Sequence, residues 1–221
     1  MADIYIGKEK AKELVKEVKE RLSISQIRKL IGTQGRDFLL TSYSTFPTKV
    51  CFETQDDEEA VILFLRQHPI VTIPWIVLTI FLLTLPSVFS FFPPFASLPA
   101  MYQFVMTLAW YLFVFGYGLA KFMGWFFNIY IVTDERIVDV DFINIFFRKI
   151  STAKIDEIQD VNIQSSGALE TFFGYGSLFI QTASAVPEFE FLSIPAPDRA
   201  GKILTQLIDH EEQEKIEGRV K

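Results

Sequence analysis

The chain has 221 residues, half of them hydrophobic, with 23 Phe and a net charge of −6. From Gln67 to Ala120 there is no Asp, Glu, Lys or Arg, and these 54 uncharged residues exceed the roughly 20 that one membrane-crossing helix needs but fall short of three spans with loops. A water-soluble globule is excluded on that ground, and the 16 acidic against 9 basic side chains of residues 126–221 argue against a nucleic-acid partner.

Residues 1–50 read as a helical region. Ala11, Leu14, Val15, Val18 and Leu22 share one face of a helix over 8–22 whose other face is Lys and Glu. Ser25 caps a second, short helix over 26–31 that Gly32 stops. Residues 51–68 are a pre-membrane segment. Cys51 is the sole cysteine, which excludes an internal disulfide, and with two His the chain has too few ligands for structural zinc. No metal and no cofactor are expected. The apolar run from Glu59 to Arg66 reads as a strand, expected to pair with the sheet that follows the membrane segment, so that the spans interrupt one domain.

The first span covers 69–92, with Pro74 in its first turns and Pro86 expected to kink or end the helix. Residues 93–100, with Pro93, Pro94 and Pro99, form an external turn that is not expected to be helical. The second span covers 101–124. Trp75, Tyr102 and Trp125 suit interfacial anchoring, whereas Trp110 lies too deep for it. Arg66 and Lys121 flank the outer ends of the pair and the connecting turn carries no charge, which places both termini in the cytoplasm of a multi-pass cell-membrane protein. Gly116, Ala120 and Gly124, four apart, line one helix face and permit close approach either of another copy or of the first span. Apart from Lys121 at the end of the second span, the spans hold no Asp, Glu, Lys, Arg or His, which argues against a transporter, a pump or an intramembrane protease.

Beyond Lys121 the pattern alternates. Strands are expected over 127–133 and 136–143 around Asp134-Glu135, with Asn144 as a left-handed turn residue, then over 146–151 and 153–164 with Ile155, Val161 and Ile163 inward and a bulge or turn between Ile155 and Ile158. Ala168–Phe173 reads as one helical turn ended by Gly174-Tyr-Gly176, strands follow over 177–182 and 189–194, and Asp198 caps a helix from Arg199 to about Glu214. A charged tail, 210–221, follows.

Tyr130-Ile-Val-Thr-Asp-Glu-Arg136, Lys154-Ile-Asp-Glu-Ile-Gln-Asp-Val161, Phe172-Phe-Gly-Tyr-Gly-Ser177 and Ile194-Pro-Ala-Pro-Asp198, together with the preceding spans, resemble the membrane-flanking bacterial pleckstrin-homology-like (PH-like) domain family over about residues 53–209. The resemblance implies an α+β membrane protein, with a two-helix transmembrane hairpin and a split antiparallel β-barrel over 125–209 capped by the C-terminal α-helix. It implies no enzymatic activity. Thr133, Asp134, Arg136, Ile158, Asp160, Val161, Gly174 and Gly176 carry the family's motifs.

No nucleophile, base or metal set stands out on spacing, since His68 adjoins the first span and His210 lies in the last helix. Asp139 and Asp141 share a strand face that reads as solvated. The expected function is non-enzymatic protein–protein interaction or self-assembly at the membrane, with the lipid bilayer and a homo-oligomer or membrane protein as partners. The alternative is lipid or small-ligand binding at the membrane face through Arg148, Lys149 and Lys154, although the turn between the first two strands lacks the clustered Lys and Arg that a phosphate headgroup needs.

Overall fold

The computed structural model describes residues 40–47, 52, 55, 59–89, 91–144, 147–165 and 167–216. The helices expected over 8–22 and 26–31, and Cys51, lie outside them. Within that range the chain forms an antiparallel sheet of five strands, arranged in chain order, and a second antiparallel sheet of three.

β1 (Tyr43–Thr45) and β2 (Val61–Arg66) precede the apolar run, and β3 (Ile129–Thr133), β4 (Arg136–Asn144) and β5 (Phe147–Lys154) follow it. The expected pairing of the pre-membrane strand is present. β2 lies between β1 and β3, with Arg66 opposite Ile129 and Val61 opposite Thr133. All six β2 residues are buried, because both faces of the strand are covered. Ile62, Leu63 and Leu65 enter the main core, whereas Val61 and Phe64 meet Ile131 and Val138 on the other face. This two-sided burial explains why Val61-Ile-Leu-Phe-Leu65 shows no polar alternation.

Everything between β2 and β3 is one insertion. A 3-10 turn, Pro69–Thr72, leads into α1 (Ile73–Phe89), and α3 (Ala100–Phe127) returns to the sheet. Together with the 3-10 turn ahead of it α1 is long and apolar enough to cross a membrane, and so is α3. Pro86 does not stop α1, which continues to Phe89 with Pro86 buried inside it. The connecting turn is also not free of helix. Pro93–Ala96 is a single turn, α2, because proline fits the first helical positions, where a missing N–H leaves no bond unmade. Trp110, too deep for an interface, ties the helices together: its Nε1 donates to the Leu82 carbonyl at 2.9 Å. Thr79 bonds back to the Trp75 carbonyl within its own helix at 2.7 Å.

The long strand expected over 153–164 is two strands. A 3-10 turn at Ile155–Glu157 ends β5 and starts β6 (Ile158–Gln164), carrying the chain from one sheet to the other. Ile155 is buried and Val161 packs against the core as expected, whereas Ile163, on the same side of β6 as Val161 and close to Gly201, is 43% exposed. Asn144 is the last residue of β4, opposite Phe147, and not the turn. α4 (Ala168–Phe173), β7 (Tyr175–Thr182) and β8 (Glu188–Pro195) follow, and α5 runs over Pro197–Ile216, beyond the domain end expected at 209.

The expected barrel resolves as two separate sheets that do not close among the described residues. One core is nevertheless shared by Ile62, Leu65, Tyr130 and Ile137 of the first sheet, Ile180, Phe189, Phe191 and Ile194 of the second, and Ala200, Leu204 and Leu207 of α5.

Candidate functional site at the hairpin junction

The motif residues Thr133, Asp134 and Arg136 lie at the end of the first sheet remote from the hairpin. There they fasten the β3–β4 turn to the segment ahead of β2. Glu59, whose side chain is fully buried, accepts from Thr133 Oγ1 at 2.7 Å, Arg136 Nε at 2.9 Å and Arg136 Nη2 at 2.7 Å. Asp134 Oδ1 accepts from the Ala60 N–H at 2.9 Å, and the Asp134 N–H returns a bond to the Ala60 carbonyl at 3.2 Å. Burial, partly opposed by that N–H, pushes the Asp134 carboxyl up to about 6. The guanidinium of Arg136 also lies over the Phe52 ring, 5.7 Å from its centre. These residues form a clasp, and a bidentate arginine–carboxylate pair supplies its geometry.

The other motif residues are also structural. Gly174 ends α4 with a φ of 67°, which glycine adopts without strain. A Cβ on Gly176 would stand 2.6 Å from Ser165 Oγ and 3.0 Å from the Gln164 carbonyl oxygen and from Pro197, so this close approach admits only hydrogen there. Ile158 is buried in the core, and Val161 packs against it. Asp160 is exposed on β6 and accepts from the Val161 N–H and the Asn162 amide.

The opposite end of the sheets, where the hairpin leaves, carries a denser set of interactions. The buried Arg66 guanidinium stands 4.5 Å from the centre of the Phe126 ring and 5.6 Å from those of Trp125 and Phe64, and burial holds it below the usual arginine value. Trp125 Nε1 donates to the Gln67 carbonyl at 3.0 Å. The His68 N–H donates to the Ser193 carbonyl at 2.7 Å and its ring stacks on Tyr175, which joins the second sheet to the root of α1. Tyr130 stacks on Phe191 at 4.5 Å while its hydroxyl accepts from the Leu192 N–H, and burial raises that hydroxyl to about 12.

Asp139 belongs to this end as well, and the solvated face expected for it is overturned. It is 8% exposed, between Tyr130 of β3 and Ser151 of β5, and its Oδ1 accepts no hydrogen bond among the described residues. Burial, then the nearby Asp141, push its carboxyl up to about 7, against the opposing pull of Lys149.

Arg148, Lys149 and Lys154 do not form one patch. All three are exposed on β5, but Arg148 and Lys149 stand opposite Phe142 and Asp141 at the hairpin end, whereas Lys154 faces Arg136 at the other. Five residues of strand, about 17 Å, separate Lys149 from Lys154.

The small-residue face of α3 is likewise not what holds the hairpin. A Cβ on Gly116 or Gly124 would meet nothing within 4 Å, and Ala120 is exposed. Contact with α1 runs through Gly118, where a Cβ would touch Thr79 at 3.4 Å, on the same side as the buried Val114 and Trp110.

Sequence reasoning missed Glu59 as the partner of the Thr133–Arg136 motif, and it missed the burial of Asp139. The acidic residue ending Asp56-Asp57-Glu58-Glu59 just ahead of a strand was the available signal for the first. For the second it was an Asp placed between Val138 and Val140 in a run otherwise fit for a core.

No curated protein and no solved structure matches the chain. The family model described as the bacterial PH domain matches residues 70–209, which is more than half of the chain and takes in the hairpin from its first helix, β3 to β8 and most of α5. β1 and β2 precede that match yet complete its sheet, and with two antiparallel sheets, a shared core and a C-terminal helix in place, the chain belongs to the bacterial PH domain family.

Proposed function

We propose that the chain is a non-enzymatic integral membrane protein, its hairpin crossing the bilayer with both termini in the cytoplasm, whose PH-like domain mediates protein–protein interaction or self-assembly at the membrane. The observation that carries this reading is the open face of Gly116, Ala120 and Gly124, which is turned away from the side of α3 used by α1. Within a bilayer, small residues four apart let a second helix approach closely, and packing of backbones then drives association. Cross-linking of the full chain in native membranes tests it. A dimer band that Gly116→Leu abolishes is expected, and monomer alone in the unaltered chain would refute it.

A second reading, lipid headgroup binding, is favoured by one observation. Arg148 and Lys149 stand at the hairpin end of β5, where phosphates of the near leaflet would lie. Lys154, at the far end, takes no part in it. Reversing the charge of Arg148 and Lys149 should lower the anionic lipid that copurifies with the protein, and an unchanged lipid complement would remove this reading.

A further inference from the structure

Large apolar side chains are exposed to solvent at two places on the PH-like domain, and both are at the end from which the hairpin leaves. The first is the start of β5, where Phe147 stands opposite Asn144 of β4. Phe147 is 67% exposed, and Phe142 packs its ring on Phe127, the last residue of α3, with centres 5.1 Å apart. The second is α4, whose Leu169 and Phe172 are 65% and 81% exposed and whose Phe173 is exposed too. Those three share one face of the turn at i, i+3 and i+4, while Glu170 is half-buried on the other. α4 joins β6 to β7 beside Tyr175, and Tyr175 stacks on His68 at the root of α1.

The two places therefore flank the hairpin, one next to each helix root. In water, such residues on a six-residue turn and a strand end would be an unexplained cost. Their continuity with the apolar surface of α1 and α3 identifies what covers them. Basic side chains accompany the first place: Arg148 and Lys149 follow Phe147 directly, and Lys121 lies about 9 Å up α3 from its end. Aromatic and aliphatic side chains with Lys and Arg beside them are the composition that settles at the boundary between acyl chains and headgroups.

We propose that the start of β5 at Phe147 and α4 are two apolar prongs that enter the near leaflet on either side of the hairpin, seating the PH-like domain flat against the bilayer that the hairpin crosses. This rests on the reading of α1 and α3 as spans. The bilayer would then be held by the fold's own surface as well as by its anchor, and the clasp at Glu59 would face the cytoplasm.

Nitroxide labels on single cysteines introduced into the full-length chain carrying Cys51→Ser, reconstituted in phosphatidylcholine–phosphatidylglycerol vesicles, test this. Phe147→Cys and Phe172→Cys report the prongs, Leu112→Cys the middle of α3, and Ala185→Cys the far end of the second sheet. Labels at 147 and 172 are expected to collide with a water-soluble nickel chelate about tenfold less often than the label at 185, and with oxygen nearly as often as the label at 112. If 112 behaves as hydrocarbon-buried while 147 or 172 behaves like 185, the prong proposal fails and the spanning hairpin stands. If 112 is itself open to the chelate, the spanning reading fails and the prongs with it. Exclusion of both reagents at 147 and 172, with dipolar broadening, would place those residues against a second copy and overturn the proposal. All four positions are exposed side chains, and an unchanged near-UV circular dichroism spectrum checks that each variant is folded.

Discussion

The clasp between Glu59 and Arg136 is the firmest energetic statement that the structure permits, and a double-mutant cycle tests it. Glu59 is fully buried and takes three short hydrogen bonds, two of them from a guanidinium that is 23% exposed. Removing the carboxylate with Glu59→Ala leaves Arg136 without that acceptor but able to reach water, so the cost should sit at the low end for a broken buried pair, about 3 kcal/mol. Arg136→Ala is harsher. It leaves a carboxylate with no access to solvent and without its guanidinium, and it removes the cover over Phe52, so about 4 kcal/mol is expected. The double variant no longer strands either charge, and it should be less destabilised than the sum of the two by about 2 kcal/mol. Thermal unfolding in detergent, followed by near-UV circular dichroism, reads this directly, with each single change lowering the Tm by about 10 °C. If the two effects add to within about 0.5 kcal/mol, the residues are not coupled and the clasp is not what holds β2 to the β3–β4 turn.

Four further outcomes follow from the same coordinates. The Asp139 carboxyl titrates near 7 when folded and near 4 when unfolded, so between those values the folded state binds more protons and loses stability as pH rises; Asp134, pushed up to about 6, adds a change of the same sign over a narrower window. Asp139→Asn should therefore melt higher than the unaltered chain at pH 8 and show no such gain at pH 4, and a gain equal at both would count against the buried charge. Gly176→Ala must displace Ser165, the Gln164 carbonyl or Pro197 and should cost about 1–3 kcal/mol in urea unfolding, with an unchanged midpoint as the contrary result. Trp110→Phe removes the bond to the Leu82 carbonyl and should loosen the helix pair by about 0.6 kcal/mol, read from detergent-induced separation of labels on α1 and α3. Because Arg66 pairs directly with Ile129, replacing residues 68–127 with a turn of about four residues should leave a folded, water-soluble domain with dispersed amide resonances, whereas collapsed resonances would show that the sheet needs its hairpin.

Much of the fold was legible because it depends on local pattern. The run Val61-Ile-Leu-Phe-Leu65 reads as a strand that pairs with the sheet beyond the spans, whereas its cover on both faces and its place beside β3 come from the structure alone. Gly174 was legible because only a left-handed residue ends α4 there. The turn at Ile155–Glu157 was visible as a lapse in alternation, but the lapse could not say that the chain changes sheets. Contacts across long stretches of sequence left no such trace. Glu59 meets Thr133 and Arg136 over 74 and 77 residues, with the whole hairpin between them. Asp139 and Asp141 alternate as a wet face would, and only the presence of Tyr130 and Ser151 on the flanking strands turns the first of them into a buried carboxyl. Grouping Arg148, Lys149 and Lys154 by charge ignored the length of the strand that separates them.

Placing the hairpin between paired strands has a mechanical consequence that a tether would lack. Arg66 and Ile129 are opposite one another in the sheet, and the next residues on each side begin the path into a helix. No slack lies between β2 and α1 beyond Gln67, His68 and a 3-10 turn, and between α3 and β3 there is only Asn128. Both short links are themselves tied down, the Gln67 carbonyl by Trp125, the His68 N–H by Ser193, and the Asn128 side chain by the Phe142 N–H. A rotation of the helices relative to the sheet must therefore break those bonds or pull Arg66 from the Phe126 ring, and a guanidinium already desolvated loses more by leaving an aromatic face than an exposed one would. The helix pair and the sheet thus turn as one body, so whatever docks on the face of α3 that bears Gly116 also fixes the direction in which the PH-like domain points.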